Sequence, residues 1–295
     1  MKYILCLLVY LMFGNRVFPT SASLLEPNCG LSPIGKRISG GRNAKLNSTP
    51  WMAFLHADWK FICGGSLINS AFVVTAAHCV FPVAKQLMAR LGEYDWTSEQ
   101  DCVDGFGCVP PYRDYMVIKI YTHPRYRSIR AFDIALLKLD QPVQYTENIR
   151  PICVIMHENM FQWYWDVDAA RELTLTGWGA TKTRSSSPIL QTVKLTQVPR
   201  EICHDQHGFN VDHTHICAGD FHHYACTGDS GSPLGLTVKY KRKDVYALVG
   251  IVSKGSNPCS GVTAFTNVVS FTDWIANTIS YDKKYMTPNG TQINV

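Results

Sequence analysis

The chain has 295 residues, with 28 Lys and Arg against 23 Asp and Glu and a formal net charge of +5. A balance this moderate carries no footprint of nucleic-acid binding; it permits an acidic partner without arguing for one. Eleven Cys point to an oxidising compartment.

The opening MKYILCLLVYLMFG places a Lys ahead of a short apolar run, and small residues follow at Thr20 to Ser23. That run is too short to span a bilayer and no later run replaces it. Residues 1–22 therefore read as a cleaved signal peptide, and the protein as secreted with no membrane anchor. Removing Cys6 with the signal leaves ten Cys, an even number suited to five disulfides, whose connectivity counting leaves open. No CxxC pair occurs, which argues against metal binding by these thiols.

Further along, FVVTAA (72–77), YMVIKIYT (115–122), ELTLTG (172–177) and YALVGIVS (246–253) are short runs rich in Val, Ile, Thr and Tyr. Gly, Pro, Asn and Ser clusters separate them, the signature of an all-β sandwich or barrel. Residues 271–279 read as one helix, and 281–295 as a loosely held polar tail. Sequons stand at Asn47 and Asn289, the first followed by Pro50. Six of the ten His lie between His204 and His223; their spacing matches no usual zinc set, so a wet surface loop is expected. The run Lys239 to Lys243 reads as a solvated loop.

Three strings carry the chemistry: TAAHC ending in Cys79, FDIALLKL around Asp133 and TGDSGSP around Ser230. They supply a base (His78), an acid to orient it (Asp133) and a nucleophile (Ser230), in that chain order. Because His78 and Asp133 fall in the first half and Ser230 in the second, a catalytic cleft is expected between two halves.

With RISGG (37–41), TGWG (176–179), VGIVSKG (249–255) and FTDWI (271–275) added, the chain from Cys29 to Ile279 resembles the trypsin-like, chymotrypsin-fold serine proteases. Within them it is similar to the catalytic part of insect clip-domain proteases, without the amino-terminal clip module. The resemblance implies an all-β fold of two packed antiparallel six-stranded β-barrels with a C-terminal helix. The first barrel would end near the strand that follows Asp133 and the second near Val269. The expected division is signal peptide 1–22, propeptide 23–37, protease domain 38–280 and tail 281–295.

The same resemblance implies the pairs Cys63–Cys79, Cys203–Cys217, Cys226–Cys259 and Cys29–Cys153, leaving Cys102–Cys108 to close a small loop. It implies an oxyanion hole from the N–H groups of Gly228 and Ser230, with Gly228 kept free of a side chain. Ser253 matches a serine beside the buried Asp, and Gly255 a residue whose backbone pairs with the substrate strand. Cleavage after Arg37 by an upstream trypsin-like protease would free the amine of Ile38 to pair with Asp229.

Several positions depart from the family pattern. Tyr224, followed by Ala225, stands where tryptic enzymes keep an Asp at the base of the primary pocket. Thr263 stands where a Gly keeps that pocket open. An uncharged, shallow pocket is expected. Ser232 replaces a Gly whose positive φ the turn could require. Glu93 resembles the start of a calcium loop, with Asp95, Glu99, Asp101 and Asp104 following, although these acids read equally as solvated charges; no cofactor is expected. The implied function is a secreted serine endopeptidase zymogen in an extracellular insect immune or developmental cascade. Its partners would be a protein or peptide substrate, the activating protease and a protein inhibitor, and the enzyme a monomer. The alternative is a protease-like regulatory or binding protein with little turnover.

Overall fold

The computed structural model describes residues 22–32, 42–81, 86–103, 107–157, 160–181, 186–255 and 259–285. Arg37, Ile38, Asp104 and Asn289 lie outside the described residues.

Six strands of the first half close into a barrel in the order Ala135–Leu139, Phe72–Thr75, Lys60–Asn69, Met52–Ala57, Met88–Leu91 and Arg113–Thr122. Leu55, Leu67, Val73, Leu91 and Leu136 fill its interior and are fully buried. Strands Phe72–Thr75 and Ala135–Leu139 are buried at every position, which explains why they are apolar apart from Thr75 and Lys138; a strand covered on both faces has no polar side to show. Their pairing sets up the site. They run antiparallel with Ala135 opposite Thr75, so the residues just after Thr75 and just before Ala135 emerge at one rim. Those residues include His78 and Asp133.

The second half forms a seven-stranded antiparallel sheet: His215–Ala218, Thr263–Asn267, Lys243–Lys254, Pro233–Tyr240, Glu172–Gly177, Gln191–Thr196 and Arg42–Asn43. Among the described residues its two edge strands do not pair with each other. The extra strand, Arg42–Asn43, follows closely on the RISGG string and takes the edge beside Gln191–Thr196. The basic run at Lys239 to Lys243 is the tip of a hairpin whose turn residues, Lys241 and Arg242, adopt positive φ.

Among the described residues three α-helices are present where the sequence suggested one. Met160–Asp168 and Arg200–His207 lie in the second half. The second of these is bracketed by Pro199 and by Gly208 at φ +69°, the punctuation of a short helix. The C-terminal helix spans Thr272–Tyr285, past the expected tail boundary at 280. Asp282 explains the extension: it is buried, pairs with Lys138 Nζ at 2.7 Å and accepts from the Tyr121 hydroxyl at 2.7 Å. Both partners lie on barrel strands, so polar residues that read as tail are pinned to the barrel wall.

Disulfides join Cys29 to Cys153, Cys63 to Cys79, Cys102 to Cys108, Cys203 to Cys217 and Cys226 to Cys259. The segment around Cys29 is also held by backbone pairing: strand Ala22–Leu24 lies against Ile155–His157, and Gly30 donates its N–H to the Pro151 carbonyl and accepts from the Tyr246 N–H. Asn47 opens the first sequon. Its backbone turns to φ +64°, its Oδ1 is buried, and Ser48 and Thr49 are buried beside it.

Candidate active site

Asp133 is 1 % exposed and sits where the two halves meet. Its Oδ1 accepts from the His78 backbone N–H at 2.9 Å, and its Oδ2 lies 2.7 Å from His78 Nδ1. The second half reaches across to the same residue. Ser253 Oγ is 2.5 Å from Asp133 Oδ2, and Thr266 Oγ1 donates to the Asp133 carbonyl at 2.8 Å. With acceptors on one ring nitrogen, the Nδ1–H tautomer is favoured and Nε2 is left as a base.

Ser230 comes from the turn that precedes strand Pro233–Tyr240, and its carbonyl accepts from Gly64 N–H of the first barrel at 2.8 Å. No hydrogen bond joins Ser230 Oγ to His78 Nε2 among the described residues; Nε2 lies 3.8 Å from the disulfide sulfur of Cys79. Without substrate such nucleophile–base contacts are often long. Neither Gly228 nor Ser230 donates its N–H to another described residue, so both donors are free to meet an oxyanion.

The turn around Ser230 is left-handed at Gly228 (φ +93°) and Gly231 (φ +76°). Ser232 is not among the positive-φ residues, so the Gly-to-Ser departure costs no backbone strain. Its side chain is fully buried, with Oγ unpartnered and close against Gly64 and Gly177. Two glycines elsewhere make the room that a missing glycine would have left.

Asp229 is buried beside the nucleophile. Gly179 N–H donates to Oδ1 at 2.9 Å and Cys226 N–H to Oδ2 at 3.0 Å. Burial pushes its carboxyl up to about 6, against the pull of those two donors. Sequence reasoning singled out TGWG without giving it a role; Gly179 of that string supplies one of the two N–H groups. Thr75 was likewise missed: its hydroxyl donates to the Gly64 carbonyl at 2.8 Å, bracing the strand that touches Ser230.

At the primary pocket, Tyr224 is half-buried and Ala225 buried. Thr263, 1 % exposed, turns its hydroxyl to accept from the Ala225 N–H at 3.3 Å. Gly255 lies across from the Ala225 carbonyl.

The Glu93 loop has a donor arrangement that does not fit calcium. Glu93 Oε2 faces Arg90 Nη1 at 3.3 Å and Oε1 accepts from Tyr94 N–H. Asp101 accepts from the N–H groups of Tyr94 and Asp95 and from the Ser98 hydroxyl. A calcium loop turns six to eight oxygens toward its ion; this one turns N–H donors toward Asp101 and brings its own guanidinium. Glu93 is pushed up to about 7 by burial and then by Asp101, while Glu99 is exposed. The histidines between His204 and His223 do not converge. His204 bonds the Phe209 carbonyl, His207 that of Val262, His215 pairs with Asp212 and His223 with Asp220. Among the described residues the one tight group of metal-type ligands is Cys63, His78 and Cys79, and both sulfurs are spent in their disulfide.

A family model described as Trypsin matches residues 38–275. Phenoloxidase-activating enzyme 1 of Spodoptera litura is 34% identical over 287 residues, covering 90% of this chain and 74% of that protein. Melanization protease 1 of Drosophila melanogaster is 34% identical, covering 90% of this chain and 70% of its own. The crystal structure of the Drosophila Grass clip serine protease of the Toll pathway superposes with a TM-score of 0.77 at 31% identity, covering 93% of this chain and 78% of that one. The chain belongs to the trypsin family of serine proteases, and its relatives there include insect CLIP-domain proteases.

Proposed function

We propose that the chain is the secreted zymogen of a serine endopeptidase, switched on by cleavage after Arg37 and acting in an extracellular cascade of the kind its relatives' names describe. The observation that carries this reading is the buried Asp133 holding His78 from the first half and Ser253 from the second, at the seam that Ser230 also occupies. In the proposed reaction His78 Nε2 takes the Ser230 proton as Oγ attacks the scissile carbonyl carbon. The oxyanion is held by the N–H groups of Gly228 and Ser230, and His78 returns the proton to the leaving amine. Water, activated by the same imidazole, then hydrolyses the acyl-enzyme. Arg90 supplies positive charge in the Glu93 loop. The proposed partners are a protein substrate, the activating protease and a protein inhibitor.

The test is a serine-directed phosphonate. After cleavage at Arg37 it should label Ser230 once per chain and leave Ser230→Ala unlabelled. A correctly cleaved chain that takes no label would favour the regulatory reading over the enzymatic one.

The pocket should not be tryptic. A Lys or Arg entering it meets Tyr224 rather than a carboxylate, and desolvating an unpaired cation costs several kcal/mol, more than one phenol hydroxyl returns. Thr263 takes volume from the wall. Profiling of cleaved peptide libraries should therefore show preference for small or modest apolar residues immediately before the scissile bond. Dominant cleavage after Arg or Lys refutes the uncharged pocket, and dominant cleavage after Phe or Tyr refutes the shallow one.

The Cys29–Cys153 bond spans the activation site in sequence, so the short propeptide should remain attached after cleavage. A denaturing gel without reductant should show one band for the cleaved chain, and reductant should release the peptide. Cys29→Ser should release it without reductant and keep catalysis. Release from the unmodified protein without reductant contradicts the tether.

A further inference from the structure

Strand Lys243–Lys254 is paired on one side with Thr263–Asn267 and on the other with Pro233–Tyr240. The second pairing stops at Pro233 opposite Ile251, and the chain before Pro233 bonds only as far as Val252. Residues 253–255 therefore present an edge with no strand on that side among the described residues, directly beside Ser230. Such an edge takes an extended peptide by main-chain hydrogen bonds, while side chains flanking it set the sequence preference. Every strand pairing in this sheet is antiparallel. A peptide added the same way runs from Gly255 toward Ser253 and brings its C-terminal side to Ser230. The residues lying on this edge are those before the scissile bond.

The side chains around the edge are cationic. Lys254 is on the edge itself. Its charge, after burial, helps hold His207 of the Arg200–His207 helix below its ordinary pKa. The loop leading into Asp133 carries Arg125, Arg127 and Arg130, all exposed. This loop is tied to the same edge, since Ser253 Oγ lies 3.2 Å from the Ile129 carbonyl, and His215 Nε2 lies 3.0 Å from the Arg130 carbonyl. Arg125 stacks on Phe132 and Arg127 bonds the carbonyls of Pro124 and Tyr126.

None of these four cations has an acidic partner among the described residues. Asp133 is buried on His78, Asp212 pairs with His215 and Asp220 with His223, while Glu201 and Asp205, exposed on the Arg200–His207 helix, form no ion pair with any of the four among the described residues. A peptide on the edge meets cations that no ion pair engages.

We propose that the 253–255 edge, Lys254 and Arg130 form a cationic subsite that selects substrates carrying Asp or Glu in the few residues before the scissile bond. The proposal rests on the endopeptidase reading for turnover, though its charge preference is a statement about binding. Peptides differing only in one upstream residue (Glu, Gln or Lys) should be cleaved by the Arg37-cleaved protein in the order Glu, Gln, Lys. The span in kcat/KM should be about tenfold at low salt, as expected for partly exposed charges, and should shrink as salt screens them. Lys254→Glu with Arg130→Glu should reverse the order, a change of ratio that a loss of folding does not produce.

Equal or better cleavage of the Lys peptide by the unmodified protein, or an unchanged ratio in the double variant, overturns the proposal. Should the cleaved protein show no turnover, the fluorescently labelled Glu and Lys peptides are titrated against it by anisotropy. Tighter binding of the Glu peptide then supports the subsite while the endopeptidase reading falls, and equal binding removes the subsite as well.

Discussion

Replacing Ser230 or His78 by Ala in the Arg37-cleaved protein should lower kcat by about a millionfold, with the fold and melting temperature little changed. Both residues sit at the rim rather than in a barrel core, so their truncation removes chemistry more than packing. Asp133→Asn should cost about ten-thousandfold for a different reason. The Asp133 carboxylate accepts from three groups, His78 N–H, His78 Nδ1–H and the Ser253 hydroxyl. An Asn offers one acceptor oxygen and an NH₂ that must face one of these donors. Relief of that clash turns His78 to the tautomer with its proton on Nε2, which has nothing with which to take the Ser230 proton. The measurement is kcat on a peptide that the unmodified cleaved protein hydrolyses, with contaminating protease excluded by active-site titration. Full activity in any of the three variants would sink the mechanism.

The triad could be found in the sequence because each member stands in a short string of distinctive neighbours, and the two-half layout followed from where those strings fall. The all-β character was legible for a similar reason, since runs such as FVVTAA and ELTLTG are dense in β-branched residues. What the sequence withheld is set by contacts between distant segments. The convergence of His78 and Asp133 depends on the register of Ala135 against Thr75, and nothing local to either strand states that register. Ser232 looked like a strained departure because its compensation lies at Gly64 and Gly177, far away in the chain. Asp282 read as part of a solvated tail, since the cation that accepts its burial, Lys138, sits inside an apolar strand. The short helix Arg200–His207 was in principle readable from Pro199 and Gly208, but its polar face hid it among the surrounding histidines.

Asp229→Asn should have two opposite effects, raising the stability of the uncleaved chain near neutral pH while abolishing its activation. In the uncleaved chain the Asp229 carboxyl is pushed from 3.8 up to about 6 by burial, with two N–H donors and no cation among the described residues. A folded-state value above the unfolded one means the native chain holds its proton longer. The penalty is absent below the unfolded value, grows as pH rises through about 6 and is complete above it, on the order of 3 kcal/mol. Asn carries no charge and escapes it, at the smaller cost of turning its NH₂ toward the Gly179 or the Cys226 N–H. Cleavage after Arg37 is expected to offset the same penalty in the natural protein by delivering the Ile38 amine as a partner. That amine, free near ~8, is raised by pairing, so its support is full below the free value and lost as pH rises through the bound one. On the acid side the pair fails only below about 6, because pairing also lowers the Asp229 value. Since Gly228 and Ser230 flank Asp229, a carboxylate that finds no partner leaves the oxyanion donors unfixed. Each misplaced donor costs about a hundredfold or more in kcat. Calorimetry of the uncleaved chains should thus show Asp229→Asn melting higher than the natural protein at pH 7 and no higher at pH 3. Activity assays should show the cleaved variant inactive, Arg37→Gln inactive because it is not cut, and the natural enzyme losing activity on the alkaline side. An active, cleaved Asp229→Asn protein, or activity indifferent to strong alkali, would overturn the pairing.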